Sequence, residues 1–136
     1  MSATVQKSLR IPSRTATEIE RIARESGREF SAVANELFEE ALCMHRCPGI
    51  VFAEGTTGRR ARVAGTGIEV WEIVATYRSV KEDWKRLLRA YDWLTEPQIR
   101  AAIGYYRAFP QEIERLVRQN EELTPEFVRK RFPSLS

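Results

Sequence analysis

Residues 4–12, TVQKSLRIP, decide the fold. Val5, Leu9 and Ile11 share one face with Lys7, while Thr4, Gln6, Ser8 and Arg10 share the other. Alternation with a period of two is the pattern of a half-buried strand. Pro12 closes the run, since proline has no N–H for a ladder. The next stretch is helical: Thr15-Ala-Thr-Glu18 has the form of a capping box, and Ala16, Ile19, Ile22 and Ala23 recur at helical spacing. A lone strand leaves half of its backbone groups unpaired. It therefore needs a mate, either a run within residues 50–64 or the same strand of a second copy. The second solution is a two-stranded antiparallel ribbon on a two-fold axis, over four helices.

Moving outward, Ser26-Gly27 ends the first helix and Ser31 is placed to cap a second, whose stripe is Ala34, Leu37, Phe38, Ala41 and Leu42. Residues 1–46 thus read strand, helix, helix, and Cys47-Pro48-Gly49 marks a domain boundary. Residues 47–120 read as a short hairpin (50–53 and 60–64 around Gly55-Thr-Thr-Gly58) followed by helices at about 69–78, 80–91 and 95–109. Ser79–Glu82 and Thr95–Gln98 have the form of two further capping boxes, and Pro110 ends or kinks the third of these helices. Ile113, Leu116 and Val117 suggest one more helix. Residues 121–136 form a C-terminal tail, helical from Thr124-Pro125 through Arg131. The expected class is mostly α.

Composition narrows the function. The 136 residues hold 22 Lys and Arg against 19 Asp and Glu, a net charge of +3 that suits a polyanionic partner without requiring one. The single histidine, His45, and the absence of a glycine-rich nucleotide loop argue against an enzyme. An enzymatic alternative would gather carboxylates such as Glu54, Glu69 and Glu72, and no spacing demands it. Cys43, His45 and Cys47 are three metal donors where a structural zinc needs four, so no metal or cofactor is expected. No apolar run nears the ~20 residues of a membrane span and the first residues do not resemble a signal peptide, so the expectation is a cytoplasmic protein with no membrane partner.

The run LRIPSRTATEIERIARESGREFSAVANELFEEAL resembles the ribbon-helix-helix family of dimeric DNA-binding proteins, over about residues 4–45. The likeness implies that Gln6, Ser8 and Arg10 read bases in the major groove while Val5, Leu9 and Ile11 pack inward. Their chemistry suits that role, since Gln pairs with adenine, Arg donates twice to guanine, and Ser gives or accepts. Ser31 and the amides beside it would hold a phosphate. Lys7, Arg10 and Arg14 stand unopposed before the first acid, Glu18, whereas residues 1–46 as a whole balance seven cations with seven carboxylates. Lys7, on the inward face, would reach the ribbon's edge on its long stem.

A second stretch, about residues 58–115, resembles a small trihelical, helix-turn-helix-like domain found in VapB-type antitoxins. Its features are Gly65-Thr66 after a short strand and Tyr91-Asp-Trp-Leu94-Thr95 before the last helix. Gly67 and Glu69 stand where that family commonly has arginine and proline. The resemblance implies a toxin partner with a PIN-like nuclease fold. Were the last helix a reading helix, Gln98, Ala101 and Tyr105 would face outward, Ile99, Ala102, Ile103 and Tyr106 would pack, and Arg100 and Arg107 would reach phosphate. Arg59, Arg60 and Arg62 are the densest basic cluster, suited to phosphates, to an acidic toxin surface or to plain solvation. Trp71, Trp84 and Trp93 are expected in the core or an interface.

The expected function is a DNA-binding antitoxin of a type II system. As a homodimer or higher homo-oligomer it would occupy double-stranded operator DNA, repress its own operon and neutralise a PIN-like nuclease. The alternative is a stand-alone dimeric repressor with no toxin.

Overall fold

The structure, a computed structural model, describes residues 3–55 and 58–122. The turn residues 56–57 and the expected tail helix from Thr124 lie outside them. The described elements are α1 (Ser13–Ser26), α2 (Phe30–Arg46), β1 (Ile50–Gly55), β2 (Gly58–Val63), α3 (Val70–Ser79), α4 (Trp84–Ala90), α5 (Glu96–Ala108) and α6 (Pro110–Glu122). The chain is mostly helical with one antiparallel hairpin. No described helix is long and apolar enough to cross a membrane.

Helices, not a strand, open this order. Residues 3–12, expected to begin with a strand, carry no regular secondary structure and belong to no sheet. The chain splits into two compact units, one ending at Leu42 and the other beginning at Cys43, so the division falls inside α2 and not after Arg46.

In the first unit, α1 begins at Ser13 with Pro12 as its N-cap, and Ala16 N–H donates to Pro12 O. Thr15 therefore lies inside the first turn, and its expected capping box does not form. Gly27, at φ 65°, ends the helix in the left-handed conformation that glycine tolerates. Arg28 N–H then closes on Ala23 O, and α2 starts almost at once, with Val33 N–H on Glu29 O. Ser31 is consequently the second residue of α2 and not its cap. The two helices bury four apolar residues, Ile19, Ala23, Val33 and Ala34, with Ile22 and Leu37 packed against them.

The second unit has a fuller core. In the hairpin, Ile50 faces Val63 and Phe52 faces Ala61. Ile50, Ala61 and Val63 are buried with Val70, Ile73 and Val74 of α3, Leu87 of α4, Ile99, Ala102, Ile103 and Tyr105 of α5, and Ile113, Leu116 and Val117 of α6. Gly65, at φ 78°, turns the chain out of β2. The Thr66 hydroxyl stitches that turn, donating to Val63 O at 2.9 Å and accepting from Ile68 N–H at 3.0 Å. Those two bonds give the Gly-Thr pair its physical role.

Of the two boxes expected here, Thr95–Gln98 forms in full at the head of α5. The Ser79–Glu82 box does not: Lys81 and Glu82 sit at φ 58° and 57°, and Asp83 caps α4 by accepting from Arg86 N–H at 3.1 Å. Two consecutive left-handed residues with a Cβ are strained. Lys81→Gly is expected to stabilise the protein by about 1 kcal/mol, as the shift in a urea unfolding midpoint would show.

Candidate nucleic-acid interface

In the first unit the expected base readers Gln6, Ser8 and Arg10 are exposed on the irregular segment before α1, with Lys7 among them. Arg14 and Ser31 are exposed in the first turns of α1 and α2. None of these six side chains makes a hydrogen bond or ion pair among the described residues. Of the other cations of this unit, Arg21 bridges Glu18 and Glu25 and Arg28 meets Glu36 at 3.0 Å, while Arg24 makes no ion pair among the described residues. The uncommitted charge is therefore concentrated from Lys7 to Arg14. The α2 amides ahead of Val33 have no intrahelical acceptor, and no carboxylate lies in that first turn.

The apolar partners of those readers are equally bare. Val5 is 77% exposed and Leu9 64%, and Ile11 is open as well. On α2, Phe38 and Leu42 are uncovered too.

The arginine triplet of the hairpin is not one cluster. Antiparallel register puts Arg59 on the core-facing side, opposite Glu54, while Arg60 and Arg62 share the other face with Val51. Arg59 donates to Phe52 O at 3.3 Å and lies 3.6 Å from the Glu54 carboxylate. Arg62 donates to Glu54 O at 3.1 Å. Because Ala64 N–H bonds Gly49 O, alternation of the ladder leaves the carbonyls of Phe52 and Glu54 on the outer edge of β1. Arg59 and Arg62 thus cover the acceptors of an exposed strand edge, a protective role. The stem of Arg60 passes so close to Gly55 that a Cβ there would fall 2.8 Å from its Cγ. Arg59 and Arg62 are thus engaged on the hairpin's own edge, and the pleat parts Arg59 from Arg60 and Arg62.

Helix α5 departs from the expected reading face. Gln98 Oε1 accepts from Thr95 N–H at 2.8 Å, which holds the side-chain amide in the cap. Tyr105 lies in the core, its ring 4.8 Å from Phe109 and 6.2 Å from Phe52, and its hydroxyl donates to Glu112 at 2.7 Å. Burial first, then the Glu112 carboxylate, push that phenol far above its ordinary range, so it stays protonated. Arg100 pairs with Glu96 at 2.7 Å and lies over the Trp84 ring. The Arg100 bond, followed by the Trp84 N–H, holds the Glu96 carboxyl below its usual value.

The tryptophans divide. Trp71 and Trp84 are half-buried, with indole N–H groups on Glu69 and Glu96, whereas Trp93 is 62% exposed. Sequence reading missed the capping role of Glu69 and Glu72: Glu72 accepts from Glu69 N–H at 2.8 Å at the start of α3. The E-x-x-E spacing was the available signal. Cys43 and Cys47 are half-buried thiols that form no disulfide among the described residues. No group of three or more His, Cys, Asp or Glu side chains placed to hold a metal occurs among the described residues.

An ionic network ties α3, α5 and α6 together. Arg78 bonds both Tyr106 and Glu114, and Tyr106 also bonds Glu114. Arg78, then the Tyr106 hydroxyl, hold the Glu114 carboxyl below its ordinary value. A depressed carboxyl adds stability at pH values above its unfolded value, about 4.3, and that stability is lost as pH falls through the folded one. Glu114→Gln is therefore expected to lower the neutral plateau of the stability profile while changing the acid end little, which flattens the acid limb and which melting temperatures between pH 3 and 7 would check.

The comparisons with known proteins fall on this second unit. Residues 50–106 match the family described as "Protein of unknown function (DUF433)". A solved DUF433 member protein from Anabaena variabilis ATCC 29413 is 36% identical, over 60% of this chain and 82% of that one, with a TM-score of 0.44. This chain belongs to the DUF433 family. Its DUF433 region opens with β1 and closes inside α5, at Tyr106. α1 and α2 both precede the DUF433 match, so Gln6, Ser8 and Arg10 lie outside it. No curated protein matches the chain.

Proposed function

We propose that the chain is a homodimeric DNA-binding repressor and antitoxin. Its first unit completes a ribbon-helix-helix fold with a second copy, and its DUF433 unit serves the toxin or a further DNA contact. The observation that carries the reading is the poverty of the first unit's core. Four buried residues cannot stabilise a unit of this size, and chains this short usually need a metal, disulfides or a partner subunit. The side chains left bare, Val5, Leu9, Ile11, Phe38 and Leu42, are those a ribbon and helix interface would cover.

Pairing residues 4–11 with the same residues of a second copy buries Val5, Leu9 and Ile11 and turns Gln6, Ser8 and Arg10 outward together. A two-stranded ribbon fits the ~12 Å major groove. Lys7 and Arg14 then lie where phosphates run, and the α2 amides beside Ser31 offer an anion site. Occupying a palindromic operator represses the promoter. Neutralisation of a PIN-like nuclease is proposed on the resemblance to VapB-type antitoxins.

Arg10→Ala tests the reading. It is expected to weaken binding to the DNA upstream of the chain's own gene by about 1–3 kcal/mol and to relax preference at one base pair. Unchanged affinity at matched salt would overturn it.

A further inference from the structure

Gly104 stands in the middle of α5, and nothing among the described residues requires a glycine there. Its φ is not positive, so no turn requires a glycine there. A Cβ built at Gly104 would meet no atom within 4 Å, so no packing requires it either. Glycine is among the poorest residues for a helix interior. The exposed stripe around it runs Pro97, Arg100, Gly104, Arg107, which are helical neighbours.

That stripe carries no large apolar side chain, the anchor a protein partner requires. It carries cations. Arg107 makes no ion pair among the described residues. Arg100 gives Nε and Nη2 to Glu96 and keeps Nη1 uncommitted.

We infer that this face of α5 seats across the major groove of duplex DNA as a sequence-neutral clamp, with Arg100 and Arg107, two turns apart on one face, on phosphates either side of the groove and Gly104 between them letting the helix approach closely. The inference rests on the DNA-binding reading above and deepens it. Seven residues of helix separate the two guanidinium-bearing positions by about 10.5 Å along the axis, close to the ~12 Å width of the major groove. Neutrality to sequence comes from the side chains that this face lacks. Gln98 is spent on the cap and Tyr105 is in the core, so no amide or phenol remains on this face to read a base edge, and the two arginines act neutrally because each is placed on a phosphate and not on a base.

Binding of the full chain to two labelled duplexes tests the clamp: the DNA upstream of its own gene, and a scrambled duplex of the same length and composition, each followed from 50 to 200 mM salt. The Arg100→Ala/Arg107→Ala variant is expected to weaken both complexes by the same factor. The salt dependence of binding should fall by about two phosphates' worth for each chain of the dimer, which shrinks the loss across that salt range by about tenfold per chain, or about a hundredfold for the dimer. Gly104→Gln is expected to keep or raise the melting temperature and still weaken both complexes, which separates a contact from a folding defect.

Affinities and salt slopes unchanged in both variants, with Arg10→Ala still impaired, would overturn the clamp and leave the ribbon reading intact. Such a result would also assign the stripe to an acidic protein surface or to solvent. A change in the ratio between the two duplexes would make α5 a base reader and overturn neutrality. Failure of the unmodified chain to bind either duplex would remove both readings.

Discussion

Tyr105→Ala is expected to cost about 3–5 kcal/mol of unfolding free energy, as large aromatic-to-alanine truncations in packed cores do. The ring is 1% exposed and lies between Phe52 of the hairpin and Phe109 beyond α5. Its removal would open a cavity where the hairpin, α5 and α6 converge. The hydroxyl adds a smaller effect: Tyr105→Phe keeps the ring but strips Glu112 of its donor, for about 1–2 kcal/mol. Urea titration followed by circular dichroism measures both. A Tyr105→Ala change within about 0.5 kcal/mol would be a surface result and would return the phenol to the outer face of α5.

Why Tyr105 escapes a sequence reading is instructive about α5. Helical spacing correctly picks Ile99, Ala102 and Ile103 as inward. It then places Tyr105 with Gln98 and Ala101 on the far side, because a single stripe is assumed. This helix is packed by the hairpin, α3 and α6 at once, so its buried arc is wider than one stripe. The clue lay beyond the helix, where Glu112 and Glu114 come after the Tyr105-Tyr106 pair and take both hydroxyls.

Local motifs succeed or fail on what precedes them. Thr95–Gln98 caps α5 because Leu94 is pinned in the core and the chain arrives extended at Thr95. Thr15–Glu18 fails because Pro12 has already started the helix, and Ser79–Glu82 fails because α3 still includes Ser79. The Arg59, Arg60 and Arg62 triplet is dense in sequence, yet the pleat parts Arg59 from the other two, a separation that charge counting does not register. The alternation at 4–11 is present in the residues, but a strand is a relation between two segments. One copy of the chain supplies no second segment, so residues 3–12 stay irregular.

Leu9→Asp separates those two conditions most sharply. On a lone chain Leu9 is 64% exposed, and replacing such a residue by a charged one shifts stability by no more than about 0.5 kcal/mol. In a shared ribbon the same position lies inside, near the two-fold axis, so the change places two carboxylates in an apolar interface. Burying unpaired charge costs several kcal/mol per ion, enough to abolish association at micromolar concentrations. Light scattering is therefore expected to report twice the chain mass for the unmodified protein and one chain mass for Leu9→Asp. Loss of DNA binding should accompany the loss of mass, because Gln6, Ser8 and Arg10 form one reader only when two copies present them together. The helical signal of the DUF433 unit should survive, since its core draws on none of residues 3–12. A Leu9→Asp protein with the parent's mass would mean that the ribbon is not what joins the copies. An unmodified chain of single mass would mean that they are not joined at all.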